Sequence, residues 1–502
     1  MTLAIIHSRT HFGLHAPDVT IEVHVSNGLP SLNIVGLPEK AVKESKDRVR
    51  CALINNNFHV PSRRIIVNLA PADLPKEGAR FDLPIAMGIL VATQQLVIED
   101  ITRYEFIGEL ALTGELKPVK GVLPMALMTK KAGRKLVLPS ENAQEAALLS
   151  GLSIYAVDHL QQMSGHFSGR QPFEIFTATA EIRSIPAYPD LKDVRGQIQA
   201  KRALEIAAAG GHSILFRGLP GTGKTMLSSR LPGLLPEMTE DEAQSTAAVY
   251  SISGTGFDAS RWRYRPFRAP HHSASAVALV GGGNPPRPGE ISLANHGVLF
   301  LDELPEFNRH VLEALREPME SGIVTISRAA RQAQFPSQFQ FVAAMNPCPC
   351  GYLGDPRCTC TSEQVSRYQQ RLSGPLLDRI DMHVTVPPLP PTQLLDQTVS
   401  ESETSTTVRE RVLKAREKQY ARAGSVNSQL TGERVTQHCR VDARDLAFLE
   451  NAFLKLGLSA RAYHRILKLS RTIADLDECD WIGRKHLQEA LGYRRVIHSV
   501  VS

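Results

Sequence analysis

The sequence predicts an α/β protein with a helical C-terminal part, and three observations carry that expectation. Strand-like and helix-like segments alternate through residues 1–165, with Val19–Val25, Arg64–Asn68 and Leu136–Pro139 as strands and Glu39–Asn55 as a helix. The apolar run Ser213–Phe216 leads into a glycine-rich loop and then a helix-compatible stretch, Met226–Arg230. Beyond residue 408 the pattern is helical: Val408–Arg422 is strongly charged, while Ala443–Leu456, Ala460–Leu476 and Gly483–Val496 alternate apolar and basic positions as a small bundle does. Polar, proline-punctuated stretches at 166–189 and 387–407 read as linkers, giving parts at 1–165, 190–386 and 408–502.

A chain of 502 residues exceeds one core, and 42% apolar with 22% charged residues is an ordinary globular composition. No run reaches the roughly 18 apolar residues of a spanning helix, and Met1–His7 turns polar too soon for a secretory signal. A cytoplasmic protein is expected, with no membrane partner. The formal net charge is +6, and residues 408–502 carry 18 Lys/Arg against 11 Asp/Glu. Such a segment suits either a polyanion or a solvated helical surface.

The loop Gly218, Leu219, Pro220, Gly221, Thr222, Gly223, Lys224, Thr225 has the spacing G-x-x-x-x-G-K-[ST] between a strand and a helix. Backbone amides of such a loop wrap phosphates, Lys224 reaches the outer phosphates and Thr225 holds Mg²⁺, so ATP is the expected ligand. Gly297–Glu303 is a buried-strand run ending in two carboxylates. Asp302 is placed to hold Mg²⁺ through its water shell, and Glu303 to orient and deprotonate the attacking water. A third apolar strand, Phe339–Met345, ends in Asn346. The helix-patterned segment Leu191–Ala209, just before the phosphate-loop strand, is expected to form part of an adenine pocket or simply to pack.

Together with Leu372–Asp381, Leu458–Arg465 and the segments Arg265–Gly283 and Gly289–His296, these motifs resemble the magnesium-chelatase-like AAA+ ATPases. The resemblance implies that Asn346 is sensor 1 beside the γ-phosphate, that Arg379 is a finger supplied in trans, and that Arg461 faces the nucleotide from the sensor 2 helix of a C-terminal lid. It also implies a ring, expected to be a homo-hexamer. Residues 1–165 resemble the Lon protease domain (a ribosomal S5 domain 2-like fold) and the C-terminal domain of the RadA branch-migration ATPase, through Pro75–Gly78, Ile107–Leu116, Pro118–Val122 and Leu136–Pro139. Laid on that pattern, Arg80 stands where Lon has its serine and Leu123 where it has its lysine. A Ser–Lys dyad needs both groups, so no peptidase activity is expected. Arg80 is then either a surface residue or part of a domain turned into an assembly or DNA-facing platform.

The joined domains resemble a bacterial competence group, which implies a branch-migration helicase acting on branched or single-stranded DNA while incoming DNA is integrated, alongside a recombinase partner. A chelatase or protein-remodelling subunit that never holds DNA is the alternative. Arg261, Arg263, Arg265 and Arg268, interleaved with Trp262, Tyr264 and Phe267, suit either stacked nucleic acid or an edge strand. Ile323–Phe335 reads as a hairpin with Arg328 and Arg331 near its tip. Family position makes this a pore hairpin contacting phosphates, and the plain reading is solvated charge. Cys348, Cys350, Cys358 and Cys360 form CxC-x7-CxC, which suits a structural Zn²⁺ or a reduced, redox-labile cluster.

Overall fold

The computed structural model describes residues 2–11, 13–177, 188–253, 256–283, 286–328, 331–390, 403–456 and 458–494. Parts of both expected linkers (178–187 and 391–402) and the basic ending beyond Arg494 lie outside the described residues. The chain packs as two compact units. The first comprises Met1–Ile185, Ala243–Trp262 and Ser327–Phe335; the second comprises Pro186–Glu242, Arg263–Ile326 and Pro336–Ser502.

In the first unit, strands β1 (Thr2–Arg9), β2 (Asp18–Ser26), β3 (Ser31–Val35), β4 (Arg64–Ala70), β5 (Tyr104–Phe106), β8 (Lys135–Pro139) and β9 (Ile154–Val157) form a mixed sheet in the order β3-β4-β2-β1-β5-β8-β9. Two short strands, β6 (Glu109–Leu110) and β7 (Leu116–Lys117), pair beside it. In β2 strict alternation buries Val19, Ile21, Val23 and Val25, because successive side chains of a strand point to opposite faces. The apolar helix Asp82–Ala92 is buried nearly all round. Inside the sheet Arg9 donates two 2.7 Å bonds to Glu105, so neither buried charge is unpaired. Residues of the Ala243–Trp262 segment join this unit's core: Ala247, Ala248 and Trp262 pack in one cluster with Val122, Leu123 and Met125.

Arg80 is not a surface residue. Only 5% of it is exposed, its Nε donates to the Glu77 carbonyl at 3.1 Å, and its guanidinium meets the Met125 sulfur at 3.5 Å. Burial pushes this guanidinium down to about 10. Leu123 is a core residue.

In the second unit, β10 (Ile214–Arg217), β11 (Phe267–Arg268), β14 (Val298–Leu301), β17 (Gln340–Met345) and β18 (Met382–Thr385) form an all-parallel sheet ordered β11-β14-β17-β10-β18. Strands β14 and β17 are buried along their whole length, as parallel strands covered on both faces are. A small ladder pairs β12 (Gly281–Gly282) with β13 (Arg287–Pro288). The expected hairpin consists of β15 (Ile323–Arg328) and β16 (Arg331–Pro336), and its residues Ser327–Phe335 group with the first unit. The C-terminal helices are Ser405–Ala423, Glu433–His438, Ala443–Leu456, Ala460–Leu476 and Arg484–Gly492.

One buried carboxylate ties this helical part to the sheet. Asp381 receives the Ser213 amide at 3.1 Å at the start of β10, lies 3.5 Å from His212, and pairs with Arg465 of helix Ala460–Leu476. Arg465 also donates to the Arg379 carbonyl at 2.7 Å. Burial alone would raise the Asp381 pKa, but the charges of Arg465, His212 and Lys468 outweigh it and hold the carboxyl well below its usual range. A depressed carboxyl pKa contributes stability that is present above the unfolded value and lost as pH falls through the folded one. Asp381→Asn leaves the partly buried Arg465 without its carboxylate and should cost about 2–3 kcal/mol at pH 7, below the full cost of breaking a buried pair because Arg465 keeps some contact with water. In thermal melts the gap from the parent chain should narrow below about pH 4; a gap that stays constant with pH would exclude this role.

Candidate nucleotide site

The order β14-β17-β10 sets three loop ends side by side at the C-terminal edge of the sheet. From β10 comes the loop Gly218–Thr225, from β14 come Asp302 and Glu303, and from β17 comes Asn346. The loop turns sharply where it enters helix α7 (Lys224–Ser228): Gly223 has φ +90°, a conformation that a side chain would strain. At Gly218 a Cβ would stand 2.4 Å from the Val386 carbonyl oxygen, so only glycine fits.

Lys224 is buried and its ammonium donates to the carbonyls of Gly218 and Leu219, both at 2.9 Å, and to Asn346 Oδ1 at 3.1 Å. Burial pushes this ammonium below its ordinary value, while the charges of Asp302 and Glu303 pull it back. Thr225 Oγ1 donates to Asp302 Oδ2 at 2.6 Å. That hydroxyl and carboxylate pair is a hard oxygen donor set suited to Mg²⁺. The other Asp302 oxygen accepts the Glu303 amide at 2.9 Å, and Glu303 takes φ +51°. Its carboxylate is half exposed, where water can reach it.

Two neighbours were missed in the sequence. His272 Nδ1 stands 3.2 Å from Glu303 Oε2, although its only local signal is membership of the segment Arg265–Gly283. Gln197, at φ +52°, donates to the Pro387 carbonyl at 2.7 Å and to the Thr222 carbonyl at 3.4 Å, bracing the phosphate loop from behind. It sits one residue before helix Ile198–Gly210, in the segment expected near the adenine.

The remaining arginines lie elsewhere. Arg379 pairs with Glu320 at 2.7 Å and donates to the Pro375 carbonyl at 2.8 Å. Arg461 is exposed on its helix. Among the described residues neither bonds to a phosphate-loop side chain. The run Arg261–Arg268 is only in small part a strand. Arg265 is buried, bonded to the carbonyls of Pro236 and His296 and paired with Glu242 at 3.0 Å; Arg268 makes a two-pronged pair with Glu290 at 2.6 and 2.7 Å. Tyr264 stacks on Tyr188 at 4.6 Å between ring centroids, and Trp262 belongs to a hydrophobic cluster. Those two aromatic faces are occupied, which leaves Arg261, exposed beside Asp258, and the partly exposed Arg263. The backbones of Arg328 and Arg331 end the two hairpin strands, and their side chains lie outside the described residues.

Cys348, Cys350, Cys358 and Cys360 gather with all Sγ atoms within 4.8 Å of one another, just after Asn346. The backbone amides of Tyr352 and Thr359 draw the Cys350 thiol down to about 6. Cys348–Cys350, Cys350–Cys358 and Cys348–Cys358 separations are 3.4, 3.7 and 3.9 Å.

Family models match along most of the chain: "Magnesium chelatase, subunit ChlI" over residues 190–394, "Subunit ChlI of Mg-chelatase" over 21–142, and "Magnesium chelatase, subunit ChlI C-terminal" over 402–494. Competence protein ComM of Haemophilus influenzae is 54% identical over 501 residues, spanning 99% of this chain and 98% of that protein. The chain belongs to the ComM and YifB family of magnesium-chelatase-like AAA+ proteins. Family membership of this kind points to an ATPase. YifB of Salmonella typhimurium is 50% identical across 99% of the chain. Lon protease 2 of Bacillus subtilis is 26% identical over 174 residues, 31% of each chain, in keeping with the Lon-like first unit. No described helix is long and apolar enough to cross a membrane.

The His272 ring stands beside the Glu303 carboxylate, placed to orient it. Removing it in His272→Ala should lower steady-state ATP turnover about tenfold with KM for ATP unchanged, the size expected for a group that orients an acting one. Unaltered kcat would remove His272 from the site.

Proposed function

We propose that the chain is an ATP-driven DNA motor that moves branched recombination intermediates, working as a ring of identical subunits, expected to be six, in the cytoplasm. The observation that carries the ATPase half is the convergence of Lys224, Thr225, Asp302, Glu303 and Asn346 from three adjacent parallel strands. In this reading the amides of Gly218–Thr225 and Lys224 hold the phosphates, Thr225 and Asp302 hold Mg²⁺, Glu303 activates the water, and Asn346 positions it beside the γ-phosphate. Bound Mg²⁺ supplies charge neutralisation across the phosphate oxygens. Lys224 already touches Asn346, so phosphate has only to replace the two carbonyls that now share its ammonium.

Arg379 is proposed to act across a subunit boundary and Arg461 from the lid. Exchange of the half-exposed Glu320 for a neighbour's phosphate would release Arg379 into that role. The DNA half is supported by the competence name of the Haemophilus relative and by the hairpin carrying Arg328 and Arg331, with Arg261 and Arg263 as further phosphate contacts. A recombinase is the expected partner. Peptidase activity is not expected, since Arg80 and Leu123 occupy the places of the Lon dyad. We assign Zn²⁺ to the four cysteines: a tetrahedral site with Zn–S of about 2.3 Å sets S–S distances near 3.8 Å; the three separations among Cys348, Cys350 and Cys358, 3.4–3.9 Å, bracket that value, and Cys360 completes the set within 4.8 Å.

The decisive test pairs two variants. Glu303→Gln should bind ATP and DNA while hydrolysis falls about 10²–10⁴-fold. Arg328→Ala/Arg331→Ala should keep DNA-free turnover, lose stimulation by DNA, and reduce the salt dependence of binding by roughly two phosphates' worth. Turnover that ignores DNA in the parent chain would favour the chelatase or remodelling reading, the first of which the family-model names echo.

A further inference from the structure

The loop that carries the four cysteines leaves β17 immediately after Asn346 and lies against the phosphate loop. Gly351 makes the contact. At φ +88° its backbone comes so close that a Cβ would stand 2.6 Å from Pro220 Cγ, 2.9 Å from Pro220 Cδ and 3.9 Å from Asn346 Cγ. Pro220 is the third residue of the phosphate loop, and Asn346 is the acceptor of the Lys224 ammonium. One short turn therefore buttresses both the phosphate loop and the side chain that holds Lys224.

Backbone bonds, the Arg357–Asp355 pair and the four sulfurs together fix that turn. Gly351 donates to the Cys348 carbonyl at 3.0 Å, and the Cys350 amide donates to Cys360 Sγ at 3.4 Å. Beyond the cluster, Thr361 caps helix Ser362–Gln369, whose Gln369 amide returns to the Pro347 carbonyl at 3.3 Å. The cluster thus closes a loop whose two feet are the end of β17 and the start of that helix. Four thiolates this close repel one another unless a cation sits among them. With the cation bound, Cys348 and Cys350 are pinned to Cys358 and Cys360, and Gly351, next in the chain, is pressed on Pro220. Without it, the bonds around Asp355 and Arg357 keep the tip of the loop folded, but Cys348 and Cys350 are no longer tied through metal to Cys358 and Cys360, and the hold on Pro220 relaxes.

We infer that the four-cysteine site is a metal clasp that sets nucleotide affinity, by holding Gly351 against Pro220 and so preorganising the phosphate loop. The inference rests on the assignment of Zn²⁺ to the four thiolates. By linkage the coupling runs both ways: metal tightens nucleotide, and nucleotide tightens metal by the same factor.

The test uses the full-length chain at fixed free Mg²⁺, with zinc content measured by elemental analysis and affinity measured with a fluorescent ADP analogue. The chain should carry one zinc, take up Co²⁺ with thiolate charge-transfer absorption, and lose about tenfold in ADP affinity on zinc chelation, within the usual 5–150-fold range of such couplings. Adding Zn²⁺ back should restore it. Cys358→Ser should copy the chelated state. Gly351→Ala keeps the four ligands but pushes on Pro220, so it should weaken ADP about tenfold with zinc retained. Zinc lost with ADP affinity unchanged, or Gly351→Ala binding ADP as the parent does, overturns the coupling and leaves the zinc assignment standing. A folded chain that holds neither zinc nor cobalt overturns both. If Cys358→Ser fails to fold by circular dichroism, chelation of the parent chain and Gly351→Ala decide the matter.

Discussion

The order of three buried parallel strands is the constraint on which the candidate site depends. Parallel strands covered on both faces put their polar end groups at the same edge of the sheet, and here β17 runs between β10 and β14. Lys224 after one strand therefore reaches Asn346 at the end of the next, 122 residues away, and Thr225 reaches Asp302 at the end of the third, 77 residues away. The apolar strands are what stabilise this arrangement. Phe300, Val342 and Phe216 are buried in one core, and the polar groups are carried at the rim of it.

The same economy extends to the lid. Asp381 follows Arg379 by two residues, closes onto the start of β10, and receives Arg465 from the helix that also carries Arg461. The proposed finger segment, the phosphate-loop strand and helix Ala460–Leu476 are thus joined by one buried carboxylate. A shift of helix Ala460–Leu476 relative to the sheet would load this junction, a physical route by which the proposed lid and the placement of Arg379 could influence each other. The cysteine turn acts on the other side of the same loop, through Pro220.

Much of this was legible in the sequence because short-range rules wrote it. The phosphate loop has fixed spacing, and Asp302, Glu303 and Asn346 each end an apolar run, a pattern that marks a strand reaching the sheet edge. The helices Ala443–Leu456 and Ala460–Leu476 follow from periodicity alone. What escaped depends on contacts between distant segments. His272 and Gln197 have no motif of their own; they matter because the fold brings them to Glu303 and to Thr222. Arg265 and Arg268 look like nucleic-acid ligands in a one-dimensional reading, yet Glu242 and Glu290, 23 and 22 residues away, neutralise them. Arg80 reads as a surface charge, and its burial against Met125 follows from packing that no local pattern encodes. The grouping of residues 243–262 with the first unit was hidden for the same reason, since alanines at 247 and 248 fit a helix anywhere.

A phosphate-binding site assembled in this way does work only if something else moves when phosphate is released, and the hairpin Ile323–Pro336 precedes β17 by a few residues. Asn346, the proposed sensor, is thereby close in sequence to the arginines proposed to contact DNA. The most direct measurement is the movement of a four-way DNA junction by the full-length chain, with ATP hydrolysis recorded in the same reaction. The account predicts that the junction accelerates hydrolysis and that its branch point advances only while ATP is consumed. Hydrolysis at the same rate with and without the junction, and a branch point that stays put, would contradict it.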